Sequence, residues 1–166
     1  MKIIGLPGRN KETEGWLRQL LASLALGEAE VVRYRHWTDD TDPNITHETE
    51  ALRGRAVNLV VAKSMGTIVA TTAYLSASFR PARAVLIGSP VAELTHELRA
   101  LYRGFAEEIS TLFIQQTADF TGTFAQLEAI VQGCAHTRLV EVPGKDHGYG
   151  DTVAVASIIA SWIGRS

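Results

Sequence analysis

The sequence predicts an α/β fold, a three-layer αβα sandwich built around a parallel sheet of six strands. Three observations lead there. Short apolar runs of strand length alternate with longer segments of helical spacing along the whole chain. The runs are continuous and rich in valine, isoleucine and leucine rather than alternating, as expected of strands buried on both faces. Glycine, proline and small polar residues punctuate nearly every junction between them.

The elements follow in order. Residues 2–6 form the first strand, ended by Pro7-Gly8. Residues 13–26 form a helix, with Trp16, Leu17, Leu20, Leu21 and Leu24 on one side and Gly27 as its stop. Residues 29–34 make the second strand, 43–53 a polar helix with Ile45, Thr49 and Leu52 on a narrow apolar side, and 58–62 a valine-rich third strand. An apolar helix spans 65–78, and the fourth strand is 84–87. The helix 93–107 places Leu94, Leu98, Leu101 and Phe105 on one face. The fifth strand (111–115), a helix (124–132), the sixth strand (138–142) and a closing helix (152–163) complete the chain. No repeat, low-complexity stretch or linker interrupts the pattern, so residues 1–166 read as one domain.

Composition narrows the functional classes. Hydrophobic residues make up 46% and charged residues 20% of 166, with a formal net charge of -2. That is the balance of a globular protein with a core to bury. No lysine-arginine run suggests contact with nucleic acid or a membrane surface. Asp39, Asp40 and Asp42 read as a solvated loop. Cys134 is the one cysteine, which excludes an intrachain disulfide and fits a reducing compartment. The N-terminal apolar stretch is too short for a signal peptide, and no segment reaches the roughly 20 apolar residues of a membrane span, so the expected location is cytoplasmic. The oligomeric state is open. No cluster of metal-ligating spacing and no phosphate-cradling glycine motif is present, and no cofactor is expected.

The sharpest local signal runs from Asn58 to Gly66. Strand, tight turn and apolar helix meet at Ser64, with small residues, Ala62 and Gly66, two positions to either side. A nucleophile elbow needs this arrangement, because strand and helix must approach closely around a strained serine. The motif usually has glycine at both small positions, and here the first is alanine. At the helix N-terminus the N–H of Met65 points to where an oxyanion would form, and the helix dipole favours negative charge there. The competing reading is that Ser64 is an ordinary N-cap.

A serine hydroxyl needs a base. Of five histidines, His36, His47, His96 and His136 read as loop or surface residues. His147 instead lies in Pro143-Gly144-Lys145-Asp146-His147-Gly148-Tyr149-Gly150, directly after the sixth strand. The carboxyl ends of parallel strands are where ligands sit in such sheets, and Ser64 is at one too. Asp119 follows the fifth strand and can accept from His147 Nδ1, though it could equally be a turn or N-cap residue. Its rivals are Asp146, whose side chain is expected to point away from its neighbour His147, and Asp151, which reads as the N-cap of the last helix. Ser64, Asp119 and His147 occur in that order, each just after a strand, so all three gather on one sheet edge.

On these residues the chain resembles the small single-domain α/β-hydrolases, in particular the serine hydrolases related to dienelactone hydrolase and the retinoblastoma-binding serine hydrolases. The resemblance covers most of the chain and rests on Ala62-Lys63-Ser64-Met65-Gly66, Asp119 and Gly144-Lys145-Asp146-His147-Gly148. It implies Ser64 as nucleophile, Asp119 as acid, His147 as base and a sheet ordered 2-1-3-4-5-6. It also implies a second oxyanion donor in the turn after the first strand: the Arg9 N–H, with Gly8 shaping the turn and Pro7 unable to donate. Where relatives often have a histidine before that glycine, this chain has Pro7. The fold often begins with two further strands, so this would be a minimal version. Gly8, Ser89, Pro90 and Tyr149 are expected to line the substrate pocket, the competing reading being a turn at Gly88-Ser89-Pro90 and a packed aromatic at Tyr149. The segment 89–103 is too short for a cap, which favours small esters or thioesters. The alternatives are a binding protein that keeps the fold without turnover, and a nucleotide-binding flavodoxin-like domain, against which no Gly-x-Gly-x-x-Gly follows the first strand.

Overall fold

A computed structural model describes residues 1–76 and 79–164. Six parallel strands form one sheet in the order β2-β1-β3-β4-β5-β6. They are β1 (Lys2–Leu6), β2 (Glu28–Val31), β3 (Leu59–Lys63), β4 (Arg83–Ile87), β5 (Ser110–Gln116) and β6 (Thr137–Val142). The central strand β3 is buried at every position, which is why its sequence, Leu59-Val60-Val61-Ala62-Lys63, does not alternate. Register places Leu6 beside Ala62 and Lys63 beside Ile87, so the carboxyl ends of β1, β3 and β4 are level.

The helices are α1 (Glu12–Leu24), α2 (His36–Asp39), α3 (Ile45–Glu50), α4 (Met65–Leu75), α5 (His96–Glu108), α6 (Phe124–Val131) and α7 (Thr152–Ile163). On one face α1 and α7 close a core through Leu17, Leu20, Leu21, Val155 and Ile159 against Val61, Val85 and Ile114. On the other, α3 to α6 cover a second core in which Val69, Ala73, Tyr102 and Phe105 pack on Val60, Leu86 and Phe113. This is the expected three-layer arrangement and sheet order. No helix among the described residues is long and apolar enough to cross a membrane.

The differences from expectation have local causes. The strand expected at 29–34 ends as regular structure at Val31, and although the Val32 N–H still pairs with Gly5 O at 2.9 Å, the chain then turns into α2, a helix absent from the sequence expectation. Four residues are too few to show helical spacing. The helix expected at 43–53 shrinks to α3, capped by Asn44, whose side chain accepts from His47 N at 3.2 Å. The helix expected at 65–78 ends at Leu75, and residues 77–78 lie outside the described residues. In α5 the buried side is Tyr102, Phe105 and Ala106. Leu94 lies before the helix, which starts only after Thr95 caps it.

Candidate active site

Ser64 sits between β3 and α4 with φ 52° and ψ −121°, outside the helix and strand basins. The local sequence permits this strained joint because Gly66 follows. A Cβ there would fall on the carbonyl of Leu6, so α4 could not approach β1. The Ser64 N–H is held by Ile87 O at 2.9 Å, and the Ser64 side chain caps nothing. The N-cap reading of Ser64 is therefore excluded.

His147 also has a left-handed backbone, φ 60°, in the loop after β6. Its Nε2 lies 2.8 Å from Ser64 Oγ. Its Nδ1 lies 2.8 Å from Asp119 Oδ2 and 3.0 Å from Oδ1. Asp119, in the turn after β5, is buried and receives further hydrogen bonds from Thr121 N (2.9 Å), Thr121 Oγ1 (2.8 Å) and Tyr149 OH (2.9 Å). Burial pushes the Asp119 carboxyl up, but the hydrogen bonds from His147 and Thr121 outweigh it and bring it down to about 2. The group stays ionised throughout the neutral range. An ionised carboxylate there can fix the imidazole tautomer and stabilise an imidazolium.

The rival acids are occupied elsewhere. Asp146 accepts from Gln116 Nε2 at 3.0 Å and from Gly148 N at 2.8 Å. Asp151 accepts from Ala154 N at 2.9 Å, the expected cap of α7. Of the other histidines, His47, His96 and His136 are exposed as expected. His36 is not: it is buried, with Nδ1 2.9 Å from Glu48 Oε1 and Nε2 3.0 Å from Arg9 O.

Gly8 packs against Ser64, and Arg9 flanks it in an exposed turn. That turn is held from the segment after β2 and from α2. Tyr34 OH donates to Pro7 O at 2.9 Å, and Trp37 Nε1 donates to Arg9 O at 2.7 Å, beside the His36 contact. These carbonyls bracket the peptide unit that carries the Arg9 N–H. Among the described residues, neither this N–H nor that of Met65 donates to a protein acceptor, so both are free for a ligand.

Two expected pocket residues do not line an open pocket. Ser89 is 0% exposed, with its N–H donating to Gln115 Oε1 at 2.8 Å. Tyr149 is buried behind the acid, its hydroxyl bridging Gln116 N (2.8 Å) to Asp119. Both face inward because the loops after β4 and β6 are pinned by glutamines of β5. Pro90 and Gly8 do line clefts beside Ser64.

Sequence reasoning missed Lys63. It ends the buried strand β3 at 3% exposure, donates to the His147 carbonyl at 2.7 Å, and sits 4.6 Å from the Tyr149 ring and 5.7 Å from the Trp16 ring. Burial lowers its ammonium to about 8, against the pull of Asp119 and Asp146. A lysine closing an otherwise apolar five-residue strand was the available signal. Phe120, 72% exposed and edge-on to His147 at 5.7 Å, was also missed. Among the described residues no group of side chains could hold a metal ion.

No family model matches the sequence, and no curated protein matches it in sequence. Solved structures do match in shape. A putative non-heme bromoperoxidase, BpoC, from Mycobacterium tuberculosis H37Rv has TM-score 0.71 at 11% identity, over 99% of this chain and 92% of that one. An esterase, EaEST, from Exiguobacterium antarcticum has TM-score 0.69 at 13% identity, over 98% and 91%. A thioesterase domain from the curacin biosynthetic pathway has TM-score 0.63 at 11% identity, over 95% and 90%. Sheet order, the strained turn at Ser64 and full-length superposition on these proteins agree: the chain has the α/β-hydrolase fold.

Proposed function

We propose that the protein is a serine hydrolase of small esters or thioesters, acting through an acyl-enzyme on Ser64. The observation that carries the reading is the unbroken chain of contacts from Ser64 Oγ to His147 Nε2 at 2.8 Å and from His147 Nδ1 to Asp119 Oδ2 at 2.8 Å. It is supported by the presence of an esterase and a thioesterase domain among the similar structures.

His147 takes the Ser64 proton as Oγ attacks the carbonyl carbon. The N–H groups of Met65 and Arg9 hold the oxyanion. Collapse breaks the bond to the alcohol or thiol, which leaves with the proton from His147. Water, deprotonated by the same imidazole, then releases the acid and restores Ser64. The imidazolium that forms twice in the cycle lies against the Asp119 carboxylate.

The test is labelling with a fluorophosphonate. Wild-type protein is expected to be modified at Ser64 alone, and Ser64→Ala to lose both label and ester hydrolysis. Equal labelling of Ser64→Ala, or none of the wild type, would favour a binding protein that keeps the fold without turnover.

A further inference from the structure

Two clefts meet at Ser64 and Arg9, and only one of them contains Met65 while only the other contains His147. One, of about 540 Å³, is lined by Arg9, Ser64 and Met65 and continues over Pro43, Ile68, Pro90, Leu94 and Leu98. The other, of about 420 Å³, is lined by Arg9, Ser64, His147 and Gly148 and continues over Trp16, Phe120 and Asp146, without Met65. Both volumes suit small-molecule ligands.

The reaction assigns the clefts. A tetrahedral carbon on Ser64 carries an oxyanion, the acyl substituent and the leaving group. The leaving group must accept its proton from His147 Nε2, so it lies on the side of His147. The oxyanion points to the N–H groups of Met65 and Arg9. The acyl substituent takes the remaining direction, into the cleft that contains both oxyanion donors and lacks His147. We infer that this cleft is an acyl subsite for uncharged aliphatic chains, and that Phe120 and Trp16 receive the alcohol or thiol. This rests on the proposed serine chemistry.

The surroundings define the ligand class further. Past Ser64 the acyl cleft runs over Ile68 of α4, Leu94 before α5 and Leu98 within it, which offer aliphatic carbon. Its rim carries Asp42 and Glu93 against the single cation Arg9, which lies 3.5 Å from Asp42. A second carboxylate on the acyl group would meet those two charges, so half-esters of diacids are disfavoured. The rim is exposed, so the chain end stays in contact with water and very long chains gain nothing more.

The experiment is a series of 4-nitrophenyl esters from acetate to decanoate, with the leaving group held constant. kcat/KM is expected to rise roughly 10- to 100-fold from acetate to hexanoate, since each methylene leaving water is worth up to about fourfold, and then to level off. Leu98→Glu and, separately, Ile68→Ser should flatten that rise. Phe120→Ala should keep the slope and instead raise KM for aryl esters relative to ethyl esters. A flat series, or a slope flattened by Phe120→Ala and untouched by both cleft variants, overturns the assignment. Fluorophosphonate labelling of each variant separates the two ideas. Label at Ser64 with a flat series sinks the acyl subsite alone, whereas no label on the wild type sinks the hydrolase reading and the subsite with it.

Discussion

The two arms that converge on Ser64 are built on different principles. The base arm, running through β5, β6 and the loop after it, is held by charged side chains, of which Asp119 and Lys63 are buried and Asp146 is exposed. Asp119, Lys63 and Asp146 anchor His147 through its ring, its carbonyl and, by way of Gln116, its N–H, which donates to Gln116 Oε1 at 3.0 Å. The opposite arm, the turn of Gly8 and Arg9, is held by an aromatic group. Tyr34 and His36 stack at 5.6 Å, Trp37 packs on both, and all three reach the carbonyls of Pro7 and Arg9. The difference fits what each arm would do in the proposed mechanism. A base that becomes an imidazolium needs negative charge nearby. An oxyanion donor gains from having its neighbouring carbonyls tied back, and the buried Glu48 carboxylate on this arm is taken up by Arg35 N, His36 N and the His36 ring.

Variants on the two arms should therefore behave differently. The largest effect is expected from Asp119→Asn, which keeps the shape but favours the wrong imidazole tautomer. Ester hydrolysis should fall by about 10³–10⁴-fold. An equal loss in Asp146→Asn would mean the base arm works as a diffuse charge cluster rather than through one acid.

Lys63→Met is expected to lower kcat by about tenfold, because the left-handed backbone of His147 loses a buried hydrogen bond to its carbonyl. Its second signature is in stability. The Lys63 ammonium is held at about 8 in the folded chain against an ordinary 10.5, so between those pH values the unfolded chain carries more protons. Stability from this group therefore rises as pH goes from 8 to 10.5. Urea midpoints at pH 8 and pH 10 should show that rise in the wild type and a smaller one in Lys63→Met. The same rise in both would remove Lys63 as the titrating group.

On the other arm the effects should be smaller and confined to kcat. His36→Phe is expected to cost about fivefold and Trp37→Phe about threefold, each removing one contact to the Arg9 carbonyl while the other remains, and the first also leaving the buried Glu48 carboxylate without its ring partner, with KM little changed. A loss in KM instead would place these residues at the substrate. Asp39→Asn, in the exposed pair with Arg35, should change activity by less than about twofold.

The sheet was readable because each strand is a short apolar run and each crossover a helix, so period alone separates them. Asp119 and His147 were readable because their positions after β5 and β6 put them at the same edge as Ser64. His36 was not, because its partners are Glu48, from another helix, and a main-chain carbonyl, and neither leaves a pattern in sequence. Ser89 and Tyr149 were expected to line a pocket because they follow β4 and β6, at the sheet edge where the resemblance places the pocket wall. Their burial is tied to the Gln115 side chain, which accepts from Ser89 N, and to the Gln116 main-chain N–H, which donates to Tyr149 OH, and neither leaves a mark in the sequence.

What the sequence determined by itself is thus the set of local shapes: six buried strands, a left-handed joint that only the Gly66 spacing permits, and three reactive side chains at strand ends. Tertiary structure decided what those side chains meet. It chose Asp119 over Asp146, turned Lys63 inward beneath His147, and divided the space around Ser64 into two clefts. The physical reason is range. Backbone preference and hydrophobic period act within a few residues, whereas these contacts join groups 28 to 84 positions apart and exist only once the sheet has placed the strand ends side by side.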